Sequence, residues 1–600
     1  MLELTSAGRP VVLTPGTSAQ LEYNSPLFDE DTIRGTFSYS FNVPAPPNGP
    51  LYGYPERPDA AAEPGGLLPA ELAESGVPLL SGSQRVRSAS AKQYSVAVGG
   101  GLSGAGLSER PLSSFAYGGL REVERLVPID PGSPLLMPGL VRHANEVVAN
   151  PAAYDYVFAP LRNEYRTEAE KTASVTPDPL PFPPRTVNVW AVYGAQLLGM
   201  PAGGSFSYNI DLALPGAAQF QQFEMLPAYC PYPKLRYVLR AALQECGLAI
   251  DADGFLPGEL GDLVLAGNAR LVDRGDVATL RFSLADVLPE LTFGELLAAL
   301  RQDLGIVLYQ DRLSGLVRTA YLFEQVAADA AYLDLSHLLA GAAEVSVGDA
   351  AGLTLTYLMD SSDELTKDWL TKQPAATLTL AAVATVADLP ATARLADNPQ
   401  NGQARLVEAL DTYYSCTLSA RSATEVNLTW APLVLRLPNV PVNGGGDEQA
   451  QRISYTAVLP TWVSGQTDAD PVPAISQPVY RADAADVARS SALHLLFYNG
   501  LQPTADGLGH YPQLSPDSAS GTLSVRLSGP AGTYAQLLAG WLAVKLRAAA
   551  YQLPLRLSAA DLARLDLVTP VQLAGVRYLV RKLSATAPLR KPATVELVRL

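Results

Sequence analysis

The chain has 600 residues, of which 48% are hydrophobic and 17% charged, and its formal net charge is −16. This length exceeds what one hydrophobic core usually serves and predicts roughly three to five domains, while the composition is that of a folded chain rather than a disordered one. A chain this acidic does not bind nucleic acid by neutralising phosphates, so we expect no specific nucleic-acid partner.

The N-terminal residues lack the basic and apolar regions of a secretory signal, and no stretch reaches the ~18 uninterrupted apolar residues of a membrane span. The three cysteines, Cys230, Cys246 and Cys416, form no CxxC motif. Buried free thiols are therefore favoured over metal ligands. We expect a protein without an integral membrane segment that is synthesised and folded in a reducing cytoplasm.

The first third of the chain alternates apolar and polar residues, the pattern of half-buried strands. Thr36–Val43 alternates most clearly, with four side chains on one face: Phe37, Tyr39, Phe41 and Val43. Prolines over 44–50 lack the N–H groups that strand pairing needs and predict the end of this strand. Residues 56–83, rich in Pro, Ala and Gly, predict a long loop. The next predicted elements are strands over 84–89 and 93–98 and a flexible Gly-rich loop over 99–106.

The middle of the chain predicts a mixture of helices and strands. Residues 177–184 contain several prolines and indicate a linker, and a helix is predicted from Pro233 to a closing Gly247. The clearest helix covers 292–305, because Thr292 and Glu295 have the spacing of a capping box and Gly305 suits the position after the last turn. Its apolar face comprises Phe293, Leu296, Leu297, Leu300 and Leu304. A hairpin follows, with a strand over 306–309, a turn over 311–315 and a returning strand over 316–318.

The last third predicts mainly strands. Residues 372–450 suggest strands with a mobile hairpin tip at 443–447. Two helices are expected, one near 534–550 and a short one at 559–565. The predicted strands lie over 493–498, 522–527, 571–573 and 578–583. No short-period repeat is present, which argues against a solenoid or a propeller.

Residues that carry chemistry are sparse. The four histidines, His143, His337, His494 and His510, form no HxH or HExxH metal motif, and His494 is expected to be a core residue of its strand. Gly99-x-Gly101-x-x-Gly104 matches a dinucleotide fingerprint, but Pro111 would break the helix that must follow, so a hairpin loop is favoured. The run Asp29-Glu30-Asp31 is interpreted as a solvated turn. The sequence has no GxSxG elbow and no P-loop lysine.

Turn and packing motifs are spread over most of the sequence: 35–43 with 51–58, 155–164, 231–239, 288–309, 495–500 with Tyr511-Pro512, 527–532 and 575–580. In their shared order along the chain, these segments resemble the baseplate-hub or tail-hub proteins of tailed bacteriophages, of the type encoded in Bacteroidetes phages and prophages. The loop-rich segments 56–80 and 385–450 resemble the family less.

The resemblance implies an α+β, mostly β fold with two tail-tube-like β-barrel domains and smaller α/β domains. Three copies would form a ring whose pseudo-sixfold barrel layer continues the tail tube, around a channel for DNA or cargo. The family has no catalytic positions to transfer, so we expect no enzyme and no catalytic, cofactor-binding or metal-binding residue. The expected divisions are a tube-like N-terminal region 1–175 with its excursion 56–83, a connection 176–230, an α/β domain 231–335, a β-rich domain 336–485 with insertion 385–450, and a C-terminal barrel region 486–600.

The implied partners are two further copies of the chain, the tail tube or distal tail protein, the spike or tip protein, and the tape-measure protein. The implied location is a virion tail or baseplate, or a contractile injection particle, after assembly in the bacterial cytoplasm. Two alternatives remain open at this stage. A receptor- or glycan-binding tail component would use exposed positions among the 27 tyrosines, and a tail-associated cell-wall hydrolase would need paired carboxylates.

Overall fold

The fold is mostly β with few helices in a computed structural model of the chain. The residues that the structure describes are 1–28, 35–57, 59, 66–100, 102, 106–128, 136–159, 161–163, 186–188, 230–267, 271–276, 278–312, 314–347, 415–418, 426–436, 440–442, 446–448, 451–459, 479–480, 493–503, 510–525, 529–545 and 549–600. The predicted linker 177–184, the Asp29–Asp31 turn, Gly101 and Gly104 lie outside them, as do the side chains of Cys416 and His510.

A single 14-stranded sheet contains strands from both ends of the chain. Its strands are Leu2–Ser6, Arg9–Pro10, Ala19–Asn24, Thr36–Ser38, Phe41–Pro44, Leu68–Glu74, Val77–Ala89, Gln93–Gly100, Leu333–Asp334, Glu344–Val347, Ala549–Leu555, Val571–Leu573, Val576–Ala587 and Ala593–Arg599. From one edge to the other, its main path visits the strands that begin at residues 9, 2, 68, 77, 93, 36, 19, 576, 593, 549 and 344. Among the described residues this path has two ends and does not close into a barrel.

The two ends of the chain meet where Ala19–Asn24 pairs antiparallel with Val576–Ala587. Alternate residues of both strands point into one core, because successive side chains of a strand face opposite sides of the sheet. That core also receives Ala45–Tyr52 and Ala559–Arg564, the two short helices of this unit. Its most buried members include Leu4, Leu21, Tyr23, Leu72, Tyr94, Val96, Leu583, Val595 and Leu597.

A second unit has a separate core, formed from residues between 102 and 159, between 230 and 321, and between 493 and 538. Its helices are Gly139–Ala149, Leu235–Glu245, Phe293–Leu304, Leu322–Gln325, and a π-helical turn Tyr534–Leu538 that continues as Ala539–Lys545. Its strands are Leu120–Glu124, Leu126–Pro128, Leu136–Pro138, Tyr156–Val157, Tyr232–Pro233, Leu263–Ala266, Val272–Asp273, Thr279–Ser283, Ile306–Gln310, Val317–Tyr321, Val479–Tyr480, His494–Pro503 and His510–Ser515.

The predicted strands within 372–450 are present where the structure describes them. A separate five-stranded sheet contains Leu161–Asn163, Thr186–Val187, Ser415–Leu418, Val426–Arg436 and Gln451–Leu459. Val440–Val442 pairs with Gly446–Glu448, so the second strand begins within the segment 443–447 that was predicted as the hairpin tip.

The helix and hairpin predicted after residue 292 are confirmed. Thr292 Oγ1 accepts the Glu295 N–H at 3.2 Å, and the Glu295 carboxylate accepts the Thr292 N–H at 2.7 Å, which completes the capping box. Gly305 ends the helix in the left-handed region at φ 65°. Leu296 and Leu300 are fully buried, whereas Leu297 is half-buried at the margin of the core. The helix predicted from Pro233 begins at Leu235 and ends before Gly247 as expected.

The predicted strand Thr36–Val43 is in fact two strands, because its halves pair with different parts of the strand Gln93–Gly100. Thr36 and Phe37 lie opposite its end, whereas Phe41–Pro44 lies opposite its beginning. Tyr39 falls in the break and is 45% exposed, so the predicted single apolar face is interrupted.

The proline-rich segment after this strand forms the helix Ala45–Tyr52. Pro46 and Pro47 occupy the first turn, where backbone N–H groups have no intrahelical acceptor, so their missing N–H costs nothing there. The predicted strand end is confirmed, and the helix that follows it was not predicted.

The excursion predicted over 56–83 contains most of two strands, Leu68–Glu74 and Val77–Ala89. Leu72 and Leu80 of these strands are buried opposite each other. Their burial stabilises the two strands, although the Pro, Ala and Gly content of the segment predicted a loop. The predicted loop 99–106 also begins later than expected, because Gly99 and Gly100 remain in the sheet.

Two predictions near the C-terminus need correction. No strand forms over Thr522–Val525; the hydroxyl groups of this segment instead bond within a turn and to Glu259. The helix predicted to reach residue 550 ends at Lys545, and Ala549 already begins a strand that pairs with 593–599.

Candidate assembly surface

The two edges of the large sheet differ in how their backbone groups are satisfied. Beside the N-terminal edge, the Asn48 side chain accepts the Val12 N–H at 2.9 Å and donates to the Val12 carbonyl at 2.9 Å. It also donates to the Pro44 carbonyl at 2.8 Å, and Asn48 itself is only 2% exposed. A side-chain amide thus occupies the N–H and the carbonyl of Val12, two positions beyond the edge strand Arg9–Pro10, so an added strand cannot pair with Val12.

The opposite edge of the sheet is the strand Glu344–Val347, and among the described residues it is open on one side. It pairs with Ala549–Gln552 on one side, and no described strand pairs with the other side. All four residues are exposed, with Val345 at 53% and Val347 at 78%. An exposed edge with apolar side chains is a template for pairing with another chain.

The apolar side chains of this edge continue the core face of the sheet. Val345 lies opposite Tyr551, and Tyr551 lies opposite the fully buried Leu597. Because directly opposed residues share a face, Val345 and Val347 extend the core side of the sheet to a point where it is no longer covered. This edge is the best candidate for a site of assembly in the described part of the chain.

A small apolar cluster joins the second unit to the large sheet. Its buried members come from both: Leu27, Val307, Ala320, Leu322, Trp541, Val544, Val568, Leu579 and Val598. At its margin, an Arg301 guanidinium N–H donates to the Leu27 carbonyl at 2.7 Å. The hairpin that follows the capped helix therefore braces the sheet.

The described histidines lie in three different local environments. His143 bonds the Tyr156 hydroxyl at 2.7 Å among aromatic rings, and burial lowers the pKa of this histidine. His494 is 4% exposed within the strand His494–Pro503, which confirms it as a core residue. His337 lies in a short helical turn near Asp334. Among the residues that the structure describes, no three His, Cys, Asp or Glu side chains are arranged to hold a metal ion.

The thiols and tyrosines also have packing roles. Cys230 is a buried free thiol, as predicted, and Cys246 is half-buried and accepts a hydrogen bond from Arg110 at 3.3 Å.

The sequence could not separate core tyrosines from exposed ones. The structure places many of them in the cores, including Tyr23, Tyr52, Tyr94, Tyr117, Tyr156, Tyr232 and Tyr321. Among the described tyrosines, the most exposed ones, Tyr39, Tyr332 and Tyr534, lie in separate parts of the fold.

One polar cluster was not predicted from the sequence. The Glu259 carboxylate accepts hydrogen bonds from the hydroxyls of Ser520 and Thr522, the second at 2.8 Å. Partial burial alone would raise the pKa of Glu259, but these hydroxyl hydrogen bonds outweigh it and lower the pKa. These hydrogen bonds connect a short helical turn to a loop some 260 residues later. A contact between such distant residues has no local sequence signal, so only the tertiary fold reveals it.

Comparison with known proteins gives little further information. No protein-family model matches the sequence, and no curated protein matches it. Among solved structures, the chain is similar to the 43 kDa tail protein of prophage MuSo2 from Shewanella oneidensis, with a TM-score of 0.29 and 8% identity over 100% of this chain and 98% of that one. None of the described helices has the length and apolar composition needed to cross a bilayer.

Proposed function

We propose that the chain is a non-enzymatic structural component of a phage tail or phage-tail-like particle. Its specific role is a hub that joins the tail tube to the spike or tip around a central channel. Three copies form the ring, and tube-like barrel layers arise from the β-rich parts of each copy. The DNA or protein cargo passes through the channel without being bound.

The observation that carries this proposal is the large sheet with one blocked edge and one open edge. The Asn48 side chain occupies one end, while Val345 and Val347 are exposed at the other. A monomer that functions alone usually protects both edges with charges, prolines or covering elements. The sequence segments that resemble tail hubs support the same conclusion, and the net charge of −16 suits a channel wall that must not retain DNA.

Reconstitution tests this function. The purified full chain would be mixed with the tail tube and spike proteins encoded in the same genome, and the products imaged by negative-stain electron microscopy. We expect three-fold rings that cap the end of a tube and carry the spike. Rings absent from every mixture, with the chain found only as free monomers, would contradict the proposal.

A further inference from the structure

One hairpin of the large sheet is cationic. Arg85, Arg87 and Lys92 are exposed around the turn between the strands Val77–Ala89 and Gln93–Gly100. The sequence contains no Asp or Glu from residue 75 to residue 108. In the described part of the chain, none of these three cations forms an ion pair. The hairpin therefore presents three unpaired positive charges on a chain whose net charge is −16.

An acidic patch lies on the same sheet, nearer its N-terminal edge. Glu71 is opposite Thr5 on one side and Ser81 on the other, and Glu3 is two residues from Thr5 on the same face. Glu3 and Glu71 are both exposed. Neither forms an ion pair with any described residue, whereas the nearby Glu74 accepts the Leu589 N–H at 3.0 Å.

The two patches share one face of the sheet but do not neutralise each other within one copy. Ser81 and Arg85 occupy the same outward-facing positions of one strand, with Ser83 between them, because the buried Leu80 and Gln84 point to the core side. At about 3.3 Å per residue, four residues place Arg85 about 13 Å further along the strand than Ser81 and its neighbour Glu71. The outer face thus has a positive end and a negative end.

We propose that this face is a contact between neighbouring copies of the chain, in which the cationic hairpin of one copy meets Glu3 and Glu71 of the next. The two patches are different, so the contact is head-to-tail, and repeated head-to-tail contacts close into a ring when the rotation allows it. This inference deepens the proposed function, since it names residues through which the copies of that ring associate. Complementary patches of this kind set the orientation of partners and speed their encounter.

A second copy fits the hairpin better than a nucleic acid does. Three cations offer few phosphate contacts, and the acidic patch on the same face repels a phosphate backbone that follows the sheet. A second copy supplies the matching carboxylates in a fixed arrangement. Nucleic-acid binding is therefore an outcome that the test must be able to detect.

A charge exchange tests the contact in the full chain, under the conditions in which the wild type forms rings. We expect R85E/R87E to weaken ring formation by at least about tenfold in concentration, since it places carboxylates against carboxylates. E3K/E71K has the same expected effect from the other side. The variant that combines all four substitutions restores ring formation, because the charges are exchanged and complementary again.

The control is R142E/R599E, which changes the net charge by the same amount at exposed positions on other elements. It should assemble like the wild type, and circular dichroism and thermal melting should show that all variants are folded. Wild-type assembly by R85E/R87E, or failure of the combined variant to recover, would overturn the inference while leaving the proposed hub intact. Binding of double-stranded DNA by the wild type that R85E/R87E abolishes, with assembly unchanged, would overturn it in favour of a nucleic-acid contact. If the wild type itself forms no rings, the proposed hub function is contradicted, and the inferred contact within the ring is contradicted with it.

Discussion

The guanidinium carbon of Arg312 lies 4.2 Å from the centre of the Tyr23 ring, and this contact joins the two units of the protein. Arg312 is at the tip of the hairpin that follows the capped helix. Tyr23 is in the strand Ala19–Asn24, which pairs with a strand from the C-terminal part of the chain. An Arg312 N–H also donates to the Leu562 carbonyl at 3.3 Å. Burial lowers the pKa of Arg312 and raises that of Tyr23 to about 12, so the Tyr23 ring is neutral at neutral pH.

Arg312→Ala should therefore destabilise the whole chain. The loss combines a partly desolvated cation–π contact with a hydrogen bond and amounts to about 2 kcal/mol. Arg57→Ala is the matched control, because the exposed Arg57 lies 4.3 Å from the Tyr54 ring within one loop. That change should cost less than about 1 kcal/mol. Urea unfolding of both variants measures the difference, and equal losses would show that Arg312 does not join the units.

Asn48→Ala should both destabilise the protein and unblock an edge of the sheet. It removes three hydrogen bonds and leaves the Val12 N–H without its acceptor, at a cost of about 2–3 kcal/mol. The exposed Asn42 provides the control, because it is on a neighbouring strand and its substitution by Ala should have little effect. Thermal melting tests the stability, and light scattering tests for new association. A variant as stable and as dispersed as the wild type would contradict the role given to Asn48.

The capped helix provides a test of burial within a single turn. Leu296→Asp places a charge in a fully buried position and should prevent folding, with a loss above about 4 kcal/mol. From the sequence alone, Leu297 belongs to the same predicted apolar face as Leu296. In the structure Leu297 is only half-buried, so Leu297→Asp should leave a soluble protein of reduced stability. Soluble expression and circular dichroism distinguish them. Identical behaviour of the two variants would show that the helix is not oriented as described.

Acid should weaken the protein partly through Glu245. The Ala116 N–H and the Arg110 guanidinium, the latter at 2.8 Å, hold the pKa of this carboxyl below its usual 4.5. A lowered folded-state pKa gives stability that is present above pH 4.5 and is lost as the pH falls through the folded value.

Glu245→Gln should consequently flatten the decline in unfolding free energy below pH 4.5. Glu109→Gln, at an exposed position nearby, is the control and should retain the wild-type slope. Denaturant unfolding at a series of pH values between neutrality and acid makes the comparison. A Glu245→Gln slope as steep as that of the wild type would contradict this assignment.

The sequence predicts elements whose signals are local. Thr292, Glu295 and Gly305 mark a helix by their spacing, and the apolar stripe of Leu235–Glu245 marks another, so both appear as expected. The pairing of Ala19–Asn24 with Val576–Ala587 has no local signal, because strands pair through backbone groups that every residue carries. The sequence therefore could not predict that strands from both ends of the chain form one sheet.

The candidate site was even less accessible from sequence. Asn48 follows two prolines and has the composition of a loop, yet its role depends on Val12, which only the fold brings to it. Val345 and Val347 look like core residues by composition, and their exposure follows from their place at the end of the sheet. Edge strands are defined by what fails to pair with them, and a sequence pattern does not contain that information.

The proposed hub acts by assembling with copies of itself rather than by chemistry. Mass photometry of the purified full chain, alone and with the tail tube protein of the same genome, measures this assembly. We expect a species of three times the 63.5 kDa chain mass, to which the tube protein adds. A mass of 63.5 kDa under every condition would contradict it.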